Sequence, residues 1–328
     1  MLDMQMKENR STASPVDCPK PEGKSTAAGP VGVGPFHRWV LRWRAKGRLR
    51  SRLAHEWEMF RLRRAKRRHR AGHPPPTVKT VAFLVGCQRS GTDMCLEVLG
   101  RSMDTDVFNE DDRAAFSRCR LRERALVLRL VERSDAPVIV FKPICDSHRT
   151  VELLGWHAPS RAIWLYRDFR DVARSTVAKW GDANLRHLRD LLGGGGEWGW
   201  SQWNREGYDA EALAEVAPLV DEKTTPHDAA AMYWYLRNRC YFSQKLDERD
   251  DVRLFRYRDL VTRPHETFAR MCAFLGLRYD ETMARSIHAR SLARGKSMAL
   301  SAGVERLCTT MMDRLDAACA EDERTPPP

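Results

Sequence analysis

Residues 80–103 read TVAFLVGCQRSGTDMCLEVLGRSM, and the first dozen of them decide the architecture. Thr80 to Val85 is a continuous apolar run of strand length, the pattern of a strand covered on both faces. It breaks at Gly86. Gly86 to Gly91 then has the composition of a tight loop, and Asp93 to Arg101 that of a helix. Strand, glycine loop and helix in that order bring backbone N–H groups together at a helix N-terminus, which makes an anion site. Gln88, Arg89, Ser90, Gly91, Thr92 and Asp93 line it, with side-chain donors from Arg89, Ser90 and Thr92. The loop departs from GxxxxGK[ST], because Thr92 stands where the lysine belongs and Asp93 where the magnesium-binding hydroxyl belongs. An ordinary ATPase or GTPase is disfavoured, while a phosphate or sulfate group still fits. The plainer alternative is a turn whose arginine pairs with a nearby acid.

Three further strands follow from the same kind of run. Pro137 to Phe141 (PVIVF) ends at Lys142, Ser160 to Tyr166 (SRAIWLY) ends at Arg167, and Val252 to Tyr257 reads VRLFRY. Ligands in open α/β sheets bind beyond the C-terminal ends of the strands, so Lys142 and Arg167 are placed to meet an anion. Ser175 lies eight residues after Arg167, inside the next helix, where the two can close on one phosphate. For Lys142 the alternative is a surface lysine, and for Ser175 a helix serine bonded to its own backbone. His227 to Leu246 reads as one long helix whose Met232, Tyr233, Trp234 and Tyr235 suit a core. The expected fold is a three-layer, P-loop-like α/β domain with a central, mostly parallel sheet flanked by helices.

The chain has 328 residues and a net charge of +12. The excess is local: Arg38 to Arg70 holds fourteen Lys and Arg against Glu56 and Glu58, a surplus equal to that of the whole chain. Three segments are expected: a disordered Gly/Pro/Ser-rich stretch over 1–35, a basic amphipathic helix with a proline linker over 36–77, and the catalytic candidate domain over 78–328. In the basic segment Leu49, Leu53, Trp57 and Phe60 recur at helical spacing, and their stripe is expected either to pack on the domain with the arginines facing water or to dock on a membrane or an acidic partner. Nucleic acid is not an expected partner. Nine cysteines with irregular spacing and no CxxC suit a reducing cytoplasm without a disulfide framework or a metal cluster. No run is long and apolar enough to span a bilayer, and the N-terminus lacks a secretory pattern.

Taken together, QRSGTD after a buried strand, FKP at a strand end, YRDFRDVARS and VRLFRYRDLVTRP resemble, in order and separation, the motifs of the sulfotransferases that use 3′-phosphoadenosine 5′-phosphosulfate. The resemblance spans about residues 78–280. It implies that the loop Gln88 to Asp93 holds the 5′-phosphosulfate, that Arg167 and Ser175 hold the 3′-phosphate, and that Tyr257 lies near the nucleoside. Arg294 and Lys296 resemble the basic element that closes over the 3′-phosphate. The product would be 3′-phosphoadenosine 5′-phosphate, and no metal is implied.

The chain departs from the small-molecule branch of that family, which carries lysine where Arg89 stands and a histidine base where Ile144 stands. It is closer to the arginine-loop type, with a glutamate base, of tyrosylprotein, carbohydrate and bacterial enzymes. Glu110, twenty-one residues after Arg89, matches that glutamate. Glu110, Lys142 and Arg89 are therefore the catalytic candidates, with Asp146 and His148 as alternative bases. The insert LLGGGGEWGWSQWNREGYD supplies Trp198, Trp200 and Trp203, which with His148 are candidates to contact the acceptor. The expected reaction is sulfuryl transfer to the hydroxyl of a carbohydrate or other hydroxylated metabolite, or of a glycolipid if the basic helix binds the inner face of a membrane. The other readings are a non-catalytic nucleotide-binding scaffold anchored by its basic arm and, less favoured, a nucleotide kinase.

Overall fold

The computed structural model describes residues 57–72, 76–193, 207–287 and 298–324. Its centre is a five-stranded sheet of β1 (Thr80–Gly86), β2 (Thr105–Phe108), β5 (Val138–Phe141), β6 (Ser160–Tyr166) and β7 (Val252–Arg256), in the order β2-β5-β1-β6-β7. Every pairing in it is parallel. A two-stranded antiparallel ribbon, β3 (Phe116–Ser117) and β4 (Arg120–Leu121), stands apart from it.

The apolar strands serve two cores at once because side chains alternate across the sheet. Val81, Phe83, Val85, Ile139, Phe141, Trp164 and Leu254 point into one core. Against them pack α5 (Phe169–Trp180), α6 (Ala183–Gly193), α8 (Pro226–Ser243) and α11 (Ala302–Asp322), through residues such as Phe169, Leu188, Trp234 and Leu315. Ala82, Leu84, Val138, Val140, Ile163 and Leu165 point into the other, which is closed by α2 (Thr92–Gly100) and α10 (Pro264–Leu275) through Cys95, Leu99, Phe268 and Met271. This gives the three layers. Three shorter helices, α3 (Arg124–Arg133), α4 (Thr150–Leu154) and α7 (Ala210–Val216), complete the first side, and α9 (Tyr257–Thr262) follows β7. Helix α8 is apolar around most of its circumference because it is buried between neighbours, and a reciprocal Thr225/Asp228 capping box starts it. Of the eight cysteines among the described residues, all but Cys119 are buried.

The structure departs from the sequence reading in two places. Strand β2 does not stand out in the sequence, since four residues, TDVF, suffice for it at the edge of the sheet. Its outer edge is covered by the basic helix α1 (residues 57–71): Lys66 Nζ and Arg70 Nη2 donate to Thr105 O at 2.6 and 2.7 Å, and Arg70 also pairs with Asp106 at 2.9 Å. Burial pushes the Lys66 ammonium down to about 8. The helix therefore docks through two of its cations. The part of the expected apolar stripe that is described, Trp57 and Phe60, faces outward. Leu49, Leu53 and the segment 1–35 lie outside the described residues. The second departure is at β7, which ends at Arg256, so that Tyr257 opens a helix.

Candidate active site

The C-terminal ends of all five parallel strands contribute a residue to one region. After β1 comes the loop 87–91, after β2 Glu110, after β5 Lys142, after β6 Arg167, and after β7 Tyr257. Strands β1 and β6 lie side by side, yet the chain leaves β1 toward β2 on one edge and β6 toward β7 on the other. A crevice at such a switch point is where α/β sheets place ligands.

The loop is fixed by contacts that demand its glycines. Gly86 has φ 127°, and a Cβ there would lie 2.3 Å from the Leu165 carbonyl oxygen. The Gly86 N–H donates to Ser147 Oγ at 3.0 Å, in the 3-10 turn that follows Lys142. Gly91 has φ 95°, and a Cβ there would lie 2.3 Å from the Tyr257 ring, so the ring lies against the loop backbone. Arg89 is held at φ 67°, a left-handed conformation uncommon outside glycine and concentrated at functional sites. Ser90 is fully buried, and its Oγ has no hydrogen-bond partner among the described residues, a spare donor inside the cradle. Thr92 is buried in the first turn of α2, and Gln88 reaches toward Cys145 Sγ at 3.9 Å.

Arg89 Nε donates to Ser175 Oγ at 3.0 Å. The loop arginine and the helix serine thus share one place, and Ser175 is turned to Arg89. Arg167 stacks on the Tyr257 ring, its Cζ 4.2 Å from the centroid, and pairs with Asp171 at 3.1 Å. Its carbonyl accepts the Trp234 indole N–H at 2.9 Å, which fastens the end of β6 to α8. Asp168 caps α5 by accepting from the N–H groups of Arg170 and Asp171.

Lys142 is 2% exposed, so the surface-lysine reading fails. Its Nζ pairs with Asp93 Oδ1 and lies 3.9 Å from Glu110 Oε1. Glu110 is 33% exposed. Burial pushes its carboxyl above the ordinary range, and the Asp93 charge pushes the same way, while the Lys142 cation pulls back. A carboxylate made more basic beside a buried ammonium can accept a proton while the ammonium meets negative charge.

The alternative bases are placed differently. Asp146 is fully buried, accepts the Leu121 N–H at 2.7 Å and pairs with Arg149 at 3.3 Å, so it braces the β3–β4 ribbon. Burial, with Arg237 and Arg149 nearby, pushes the His148 imidazole down to about 3, and its ring packs on the Gly207 backbone. A neutral imidazole that resists protonation is a weak base. Arg294, Lys296, Trp198, Trp200 and Trp203 lie outside the described residues. Tyr208, the last aromatic residue of the insert that carries those tryptophans, is buried edge-on against Tyr233. Trp180 belongs to none of the sequence motifs, yet its ring lies 5.8 Å from Arg89 Cζ and 4.9 Å from Lys179 Nζ. Its one signal in the sequence is its position five residues after Ser175 on α5.

Chemically, these groups suit a ligand carrying more than one anionic group, beside an acid–base pair, on an α/β sheet with a non-Walker loop. The chain belongs to the sulfotransferase family: residues 79–305 match the family's sulfotransferase domain. The reaction class that comes with the family is sulfuryl transfer. No curated protein matches the chain. Solved structures similar to it include the sulfotransferase domain from the curacin biosynthetic pathway, 15% identical with a TM-score of 0.43, covering 72% of this chain and 99% of that one. The sulfotransferase from Alicyclobacillus acidocaldarius is 14% identical with a TM-score of 0.42, covering 74% and 96%. Mouse sulfotransferase SULT7A1 complexed with PAP is 14% identical with a TM-score of 0.35, covering 75% and 85%.

Proposed function

We propose that the protein transfers a sulfuryl group from 3′-phosphoadenosine 5′-phosphosulfate to an acceptor hydroxyl, with Glu110 as base and Lys142 and Arg89 as the cations that meet the departing charge. The observation that carries this reading is the 3.9 Å approach of buried Lys142 to Glu110 at the mouth of the loop. The loop amides with Ser90 and Thr92 would hold the 5′-phosphosulfate. Arg167 and Ser175 would hold the 3′-phosphate, and Tyr257, stacked under Arg167, would border the nucleoside. The spare Ser90 hydroxyl and the glycine-lined cradle fit such a group.

In the proposed step the acceptor oxygen attacks sulfur in line, and Glu110 takes its proton. The bond from sulfur to the bridging oxygen breaks, and its electron pair stays on the 5′-phosphate. Negative charge grows on that oxygen, where a prepositioned cation is worth most. Asp93 holds Lys142 beside the loop before the donor arrives. A hydroxylated metabolite or carbohydrate is the acceptor class we favour. The tryptophans at 198, 200 and 203 are the residues we propose to contact it.

The test is transfer of labelled sulfur from the donor to a panel of carbohydrates, phenols and hydroxylated lipids. Each label transferred should release one molecule of 3′-phosphoadenosine 5′-phosphate. A chain that binds that nucleotide but labels no member of the panel, while a known sulfotransferase does, would favour the scaffold reading.

A further inference from the structure

Helix α1 has two faces with opposite tasks. The inner face is spent on the domain, through Lys66 and Arg70 at the edge of β2. The outer face is displaced by half a turn. At 100° per residue Trp57, Arg61, Arg64 and Arg68 recur along it at steps of four, three and four, with Phe60 and Arg67 beside them, and all six are exposed. Trp57 is 63% exposed and Phe60 53%, and their rings stack on each other with centroids 5.7 Å apart. Glu58, the nearby acid on this helix, is turned to the domain, where it meets Arg285 at 3.3 Å and Arg101 at 3.7 Å. Among the described residues the outer face therefore carries four guanidinium groups and two aromatic rings, and the one acid of the helix, Glu58, is paired to the domain.

We infer that this face docks the protein on an anionic membrane surface. The face is convex, and a bilayer surface can receive it without a complementary groove, which an acidic protein partner would have to supply. Its two rings are large apolar anchors of the kind that settles at the headgroup boundary, the Trp57 indole N–H adding a polar edge, and the guanidinium groups lie on the same side, where lipid phosphates would meet them. A nucleic acid would use the arginines but would leave the stacked rings in water unless bases were splayed onto them. The helix is clamped at its other face, so docking orders nothing new in it. Docking sets the domain on the surface by the edge of the sheet that carries β2 and leads to Glu110.

The test is flotation of the full chain with vesicles of phosphatidylcholine alone and with a third phosphatidylglycerol. We expect at least tenfold more protein on the anionic vesicles, falling as salt rises. Arg64→Gln with Arg68→Gln should weaken binding by about fivefold per arginine. Trp57→Ser with Phe60→Ser should weaken it at least tenfold, and neither pair should move the thermal midpoint, since all four side chains are exposed. Equal binding to both vesicle types, no binding, or anionic binding that survives both pairs of changes would overturn the inference. So would single-stranded RNA that displaces the protein from vesicles equally well with and without the two rings, because the face would then be a polyanion site.

Discussion

Lys142 Nζ stands 3.9 Å from Glu110 Oε1, and both groups lie just past the C-terminal ends of parallel strands that are neighbours in the sheet. The Lys142 N–H donates to Phe108 O at 3.0 Å, so one ladder bond fixes the spacing between the two side chains. The pair is built into the sheet and needs no loop closure to form.

Replacing Glu110 by Gln tests its role as base. Transfer should fall by about a hundredfold or more. The carboxyl is pushed above its ordinary range, so in the native enzyme the rate should drop as pH falls through a value higher than that of a free glutamate, and this acid limb should vanish in the variant. The stability effect has the opposite sign. A carboxyl with a raised folded pKa stabilises the fold below its unfolded pKa, and that contribution is lost as pH rises through the folded one. Glu110→Gln should therefore raise the thermal midpoint at neutral pH and change it little in acid.

Lys142→Met keeps the volume and removes the cation. Turnover should fall by about a hundredfold or more, with product nucleotide affinity changed by less than about threefold. Loss of the neighbouring ammonium raises the Glu110 carboxyl further, so the acid limb of the residual activity should move to higher pH. A loss below threefold in rate, or a limb that stays in place, would remove Lys142 from the chemistry.

Asp146→Ala separates bracing from catalysis. It leaves the Leu121 N–H unpaired inside the fold while Arg149 keeps Glu152 at 2.5 Å, so the cost in denaturant titration should be about 2 kcal/mol, that of one unsatisfied buried donor. The protein that remains folded should keep turnover within a few fold. A loss as large as that of Glu110→Gln in folded protein would make Asp146 the base instead.

Gly86→Ala and Gly91→Ala should differ in kind. The first drives a Cβ into the Leu165 backbone at a positive φ, and the fold should lose at least about 2 kcal/mol. The second is strained by its φ of 95° as well, but its Cβ meets the Tyr257 ring that borders the proposed donor site, so donor binding should weaken in addition to the loss of stability. Paired melting and nucleotide titration would show the split.

Much of the sheet, and the grouping of the candidate site residues at its C-terminal edge, is legible in the amino-acid sequence. A continuous apolar run of strand length is a local signal, and β1, β5 and β6 all carry it; glycines follow β1 alone, a lysine follows β5 and an arginine β6. Arg89, Lys142, Arg167, Ser175 and Tyr257 can be found because each stands at, or a short fixed step after, a strand end. Strand β2 cannot, because four residues at an edge owe their place to the β5 register and to Lys66 and Arg70 arriving from elsewhere in the chain. The orientation of α1 escapes a periodicity argument for a related reason. Periodicity marks an apolar stripe, but lysine and arginine stems can bury themselves against carbonyls and leave that stripe outside. The bond between Arg89 and Ser175 is a tertiary contact across 86 residues, whereas spacing alone pairs Ser175 with Arg167.

The most direct test is calorimetric titration of the native chain with 3′-phosphoadenosine 5′-phosphate, with 5′-AMP and magnesium ATP as controls and Arg167→Ala and Ser175→Ala alongside. The account predicts metal-independent binding that weakens strongly when the 3′-phosphate is absent, and by about tenfold or more in each variant, the scale of a lost charge-assisted hydrogen bond. Magnesium ATP binding as well as or better than the bisphosphate, or variants that bind like the native chain, would contradict it.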